Sequence, residues 1–262
     1  MKRVKKSIKI LVSALFLSIM CLQPLYAEEV ESQKVYMAII IDDFGNQMAG
    51  TEEITKLPIP LTGAVIPGMP FSKEDAKKLY DAGKEVILHV PLEPFKGKVS
   101  WLGPKGITSG MSNEKIKQLL DESMLEIPYA VGMNNHMGSR AMQSKNVVGA
   151  LMDFANEKGF YFVDSKTYDN KIAQEMAKEK HTPYLVRDVF LDNTPNTGYV
   201  IERLNEAYKV AKEQGYAIVI GHVGPQKGPH TAAALKSMIN ELKAKNVEFV
   251  TVSQLMHSLQ EQ

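Results

Sequence analysis

Short β-rich apolar runs alternate with segments of helical spacing along this chain, which predicts an α/β protein: a distorted β/α barrel of seven or eight strands. Two further observations agree. Gly83, Gly159 and Gly215 each stand between a helical segment and the next apolar run, where a left-handed C-terminal turn is wanted. Polar residues with catalytic or ligating side chains recur at one end of run after run, the end at which parallel β/α folds carry their sites. An open, doubly wound sheet is the second choice. No G-x-G-x-x-G follows the first run, so a dinucleotide-binding version has no support.

The N-terminus has a plan of its own. Lys2, Arg3, Lys5, Lys6 and Lys9 form a basic head, and an apolar run from Ile10 to Leu22 follows. Pro24, Leu25, Tyr26 and Ala27 then precede the acidic Glu28 and Glu29, so residues 1–27 are expected to be a secretory signal peptide. The alternative is an uncleaved anchor, although the run is short beside the roughly 20 apolar residues a spanning helix needs. Either way the domain is expected outside the cytoplasm: secreted, periplasmic or cell-wall associated. Cys21, the sole cysteine, lies in this segment behind Ile19 and Met20, large residues where a lipoprotein signal would place small ones. The mature chain then has neither disulfides nor thiolate metal sites. It keeps 26 basic against 30 acidic residues, a net charge of −4, which argues against a general nucleic-acid binder.

After a short linker, 28–34, a single domain is expected over 35–262. Its apolar runs are Val35–Ile41, Thr62–Ile66, Glu85–Val90, Ala130–Met133, Phe160–Val163, Tyr184–Val189, Ala217–Ile220 and Val247–Val250. Helical spacing joins Ile116, Leu119, Leu120, Ser123 and Met124, and again Val147, Val148, Leu151, Met152 and Ala155. Ser72, with Asp75 behind it, and Ser112, before Asn113-Glu114, are expected helix caps. The one long irregular connection, Pro91–Ser112, carries Trp101, which suits either a sugar-stacking platform or a cover for the barrel end.

The strand-end rule selects the candidate site. Asp42 and Asp43 end the first run and His89 the third; Asn134, Asn135 and His136 follow the fourth. Asp164 ends the fifth, Arg187 and Asp188 lie in the sixth, and His222 follows the seventh. Each has a plain structural use as well: the aspartates as helix caps, the histidines as donors that close loops. His181, His230 and His257 read as structural or solvated. Three of six histidines beside a double aspartate form the stronger pattern, because a catalytic divalent metal takes three protein ligands and leaves positions for water and substrate. Imidazole and carboxylate suit zinc and other first-row metals. A neighbouring carboxylate can serve as base and another histidine as acid.

These segments resemble the divergent polysaccharide deacetylases, relatives of the chitooligosaccharide and peptidoglycan deacetylases. The matching stretches are Ile40–Gly45, His89–Pro94, Gly132–Ser139, Phe162–Ser165, Arg187–Asp192 and Ile220–His222, in that order over nearly the whole mature chain. The resemblance implies a deacetylase-like barrel and one divalent metal ion, zinc by preference. It assigns Asp42 as the water-activating base, Asp43, His89 and His136 as ligands, and His222 as the general acid. Arg187 is expected to orient Asp42, and Asp164 or Asp192 to hold a ligand histidine. Glu93, Asn134, Asn135 and Ser139 complete the supporting set. The chain departs from the better-studied members in placing Phe44 between Asp43 and Gly45, and in placing Glu93 four residues beyond His89, where they carry a second histidine. The second histidine ligand is therefore expected from another strand, at His136, with Glu93 as the other candidate. The implied substrate is an acetylated polysaccharide or oligosaccharide of the envelope or extracellular space, and no protein partner is inferred. The alternatives are a non-catalytic carbohydrate-binding or envelope-assembly protein on the same fold, or another metal-dependent amidase or esterase.

Overall fold

The computed structural model describes residues 34–169 and 171–260; the expected signal segment and all but the last linker residue lie outside them. The described residues form nine strands: β1 (Val35–Phe44), β2 (Thr62–Val65), β3 (Glu85–Leu92), β4 (Ala130–Met137), β5 (Tyr161–Asp164), β6 (Tyr184–Val186), β7 (Val189–Phe190), β8 (Tyr216–His222) and β9 (Val247–Val250). The helices are α1 (Thr51–Thr55), α2 (Ser72–Asp81), α3 (Asn113–Glu126), α4 (Lys145–Lys158), α5 (Ile172–Lys180), α6 (Thr197–Gln214), α7 (Gly228–Ala244) and α8 (Val252–Gln260). All strand pairs are parallel, in the order β6-β5-β4-β3-β2-β1-β8-β7. The sheet curls into the expected distorted barrel.

The sixth predicted run divides in two. Arg187 and Asp188 cross from one end of the strand path to the other, so β6 pairs with β5 while β7 pairs with β8. The Arg187 amide donates to the Asp164 carbonyl at 3.0 Å and the Asp188 amide to that of Ile218 at 2.8 Å. One strand cannot serve both edges, and the two residues close by chain connectivity a seam that β6 and β7 do not close by pairing.

Both faces of the sheet are buried, which is why the runs read as continuously apolar. Met37, Ile39 and Ile41 face the outer helices, whereas Ala38 and Ile40 face the inside of the curl with Ile87, Val163, Ile218 and Ile220. Val252 and Leu255 of α8 join that inner cluster, so the last helix closes the N-terminal end of the strands. There the Glu85 carboxylate accepts from the Val252 and Ser253 amides, Thr62 Oγ1 and Tyr161 Oη, placing negative charge at the start of α8. At the other end, β1 extends to Phe44, β3 to Leu92, β4 to Met137 and β8 to His222, each past its expected limit.

Ser112 caps α3 by accepting from the Lys115 amide, as expected. Ser72 does not cap α2. The helix begins one residue earlier in the chain, at an N-cap occupied by Phe71, because the Ser72 hydroxyl is turned back to the Ile66 carbonyl at 2.7 Å.

Candidate metal and acid–base site

Strand periodicity brings the site together. Inward positions alternate, so Asp42 continues the Ala38–Ile40 row, His89 follows Ile87, and His222 follows Ile218 and Ile220. Asn134 is the register partner of His89, and Asp42 of His222. Asp43 falls on the opposite parity and is redirected by the backbone. The β1–β2 register shifts between Ile41 and Phe44, and Asp43 adopts φ 71°, a left-handed conformation costly for a side-chain-bearing residue. The bulge is what lets two consecutive carboxylates serve one site.

Asp43 Oδ1, His89 Nε2 and His136 Nδ1 form a triangle. The edges are 3.3 Å from Asp43 to His89, 3.0 Å from Asp43 to His136, and 3.1 Å between the two rings. These three are the group of described residues able to hold a metal ion. Tetrahedral ligands about 2.0–2.1 Å from zinc would stand about 3.3 Å apart, so the donor set fits such an ion. A second observation supports the fit: Asp43 Oδ1 is buried without a hydrogen-bond partner.

The surrounding charges are consistent with this arrangement. Burial pushes the Asp42 carboxyl upward, partly offset by His89 and His222. Burial would raise Asp43 too, but the His136 and His89 rings beside its carboxylate hold it well below the usual carboxylate range. His89 is disfavoured as a cation by burial, yet Asp42, Asp43 and Asn134 together raise its pKa. The negative field that favours a proton on His89 equally favours a divalent cation in its place. His222 behaves alike: burial lowers it, and Asp192, through a 2.7 Å contact between Oδ1 and Nδ1, raises it again together with the charges of Asp43 and Asp42.

Several supporting residues take positions other than those expected. The partner of the ligand-type His89 is Asn134, whose Oδ1 lies 2.7 Å from Nδ1. Asp192 instead holds His222, and Asp164, on the outer parity beside Phe162, accepts from Tyr184 Oη at 2.9 Å. Arg187 makes no hydrogen bond to Asp42. Its guanidinium donates to the Ser165 and Lys166 carbonyls, 2.9 and 3.3 Å away, and lies over the Phe190 ring. Asp42 reaches it only through the field that opposes its deprotonation. Glu93 is committed to its loop, accepting from the Ser109 amide and hydroxyl at 2.8 and 2.7 Å, and lies outside the triangle. Ser139 accepts from the Phe95 amide, and Asn135 braces the next loop through Ser165, Met137 and Thr167.

Sequence reasoning passed over Phe190, which stacks on the His222 ring at 5.5 Å, and Thr231, which donates to Asp192 at 2.8 Å. The position of Phe190, two residues before Asp192, was the available signal. Around the mouth, Phe95, Trp101 and Tyr168 are exposed, with Phe95 and Tyr168 edge to face at 5.7 Å and Arg140 over Phe95. Trp101 stands on a short 3-10 turn, Val99–Leu102, with its side chain exposed.

Fold and site define a parallel β/α half-barrel with a two-histidine, one-aspartate cluster beside an aspartate and a histidine at its mouth. The chain belongs to the divergent polysaccharide deacetylase family, whose family model matches residues 39–256. It is 30% identical to the uncharacterized protein YibQ of Escherichia coli over 86% of this chain and 68% of that one. An uncharacterized protein from Agrobacterium tumefaciens shares the fold with a TM-score of 0.77 at 22% identity, over 85% and 89% of the two chains. A Bacillus anthracis CE4 family pseudoenzyme does so at 0.53 and 16%, over 86% and 66%. The catalytic domain of a peptidoglycan N-acetylglucosamine deacetylase from Eubacterium rectale follows at 0.51 and 13%, over 84% and 89%.

Proposed function

We propose that this protein is a zinc-dependent hydrolase that acts outside the cytoplasm and removes acetyl groups from an envelope or extracellular polysaccharide. The observation that carries the reading is the donor triangle of Asp43, His89 and His136, set beside a buried aspartate and a second, carboxylate-held histidine. Zinc bound there supplies Lewis-acid polarisation of the acyl carbonyl and of the attacking water.

The remaining chemistry belongs to the chain. Asp42 has one oxygen held by Asn134 Nδ2 at 2.8 Å, which leaves the other free to take a proton from the attacking water. Its raised pKa brings it nearer the range in which a general base is effective. As the amide C–N bond breaks, the leaving nitrogen needs a proton. His222 supplies it from Nε2, while Asp192 at Nδ1 stabilises the cationic ring beforehand. Acetate and a free amino sugar leave. The exposed aromatic residues of the β3–α3 and β5–α5 connections suit stacking against sugar rings, which favours a glycan over a small acyl compound.

The test pairs metal content with turnover. Dialysed native protein should retain about one zinc per chain, and His136→Ala should lose it. Asp42→Asn should keep its zinc, yet release acetate from acetylated glycans about 10²–10⁴-fold more slowly. Native protein that takes up no zinc when it is supplied would sink the proposal and favour a non-catalytic envelope protein. Cleavage of peptide amides in place of acetyl groups would sink the substrate assignment alone.

A further inference from the structure

We infer that Asn134 is a positioning residue: its carboxamide, oriented by the Asp42 carboxylate, fixes the tautomer of His89 and leaves Nε2 bare toward Asp43 and His136. The inference rests on the proposed ligand role of His89, but its first test does not require metal or activity.

Asn134 and His89 are buried register partners on neighbouring strands. An amide offers an acceptor at one end and a donor at the other, and buried polar groups take up their partners. Asp42 Oδ1, 2.8 Å away, belongs to a carboxylate and accepts, so the Asn134 NH₂ group faces it. The amide oxygen is thereby committed to the other side, 2.7 Å from His89 Nδ1. An acceptor there requires the proton on Nδ1, so in the neutral ring Nε2 carries the lone pair. That nitrogen is the one 3.3 Å from Asp43 Oδ1 and 3.1 Å from His136 Nδ1. Without the amide, the preference would reverse, because Asp43 and Asp42, with oxygens 3.3 and 3.7 Å from Nε2, would draw a proton to that side. Asn135, next in the chain but of opposite parity, is spent on loop contacts and offers no substitute.

The experiment is two-bond 1H–15N correlation spectroscopy of the histidine rings in metal-free, full-length protein, above the pH at which His89 loses its charge. Native His89 should show the Nδ1–H pattern. Asn134→Asp keeps an acceptor and should retain that pattern; Asn134→Ala should convert it to Nε2–H. Should the alanine variant not fold, Asn134→Leu removes the acceptor while filling the volume. Zinc affinity, read by competition with a chromophoric chelator, should fall about 10–100-fold in the variant without the acceptor. An unchanged Nδ1–H pattern in that variant overturns the inference, as does a reversed pattern with unchanged zinc affinity. If the native chain binds no zinc, the hydrolase reading fails, while the ring pattern still decides whether Asn134 sets the tautomer.

Discussion

The His222–Asp192 pair carries the pH dependence expected of the site. His222 is raised above its ordinary 6.5, so the stability it contributes is fully present below that value and is lost as pH rises through the raised pKa. Asp192 is lowered from its ordinary 3.8, so its share is present above that value and is lost as pH falls through the lowered one. Between those limits the pair is a carboxylate and an imidazolium, the form in which His222 can donate a proton. Asp192→Asn keeps an acceptor for Nδ1 but removes the charge that raises the ring. The alkaline limb of kcat/KM should then move to lower pH by about one unit or more, as read from a pH–rate profile. An unmoved limb would assign the acid to another group.

At the scale of elements, the loop after β1 is set by a close backbone approach. A Cβ at Gly228, the first residue of α7, would lie 1.9 Å from the Ala49 carbonyl oxygen, and Gly50 on the facing turn has φ 90°. Backbone cannot yield as a side-chain tip does, so Gly228→Ala should cost about 1–3 kcal/mol, measured by denaturant unfolding. Gly159 is a useful contrast. Its φ is 68° with open space around the Cβ position, so alanine there meets only the left-handed penalty of about 1–2 kcal/mol. The larger loss is expected at Gly228, together with reduced zinc affinity, because the same loop follows Asp43. Equal losses with unchanged zinc affinity would separate the loop from the site.

At the scale of the whole molecule, Glu85 joins β2, β3, β5 and α8 at the end of the strands opposite the site. Glu85→Ala leaves the Thr62 and Tyr161 hydroxyls and the Ser253 amide without their acceptor, and the Val252 amide with Thr62 Oγ1 alone. Losing those contacts should lower stability by about 2–3 kcal/mol. For a domain of this size, Tm should fall by roughly 5–10 °C in calorimetry. Zinc stoichiometry should be unchanged in the folded fraction, since the end that carries the candidate site shares none of these partners. Loss of zinc at full folding would show that the two ends are coupled.

The order of strands and helices was legible in the sequence because each strand is buried on both faces and reads as an unbroken apolar run. The residues of the triangle, with Asp42 and His222, were legible for a related reason: strand ends in a parallel fold converge on one face. Tertiary structure alone decided the rest. The Asp43 bulge depends on the register of β1 against β2, and the division of the sixth run on where the sheet edges meet. The exchange of partners, Asn134 for His89 and Asp192 for His222, depends on side-chain directions across strands far apart in the chain. Periodicity records which face a residue takes, but carries no record of which neighbour it meets there.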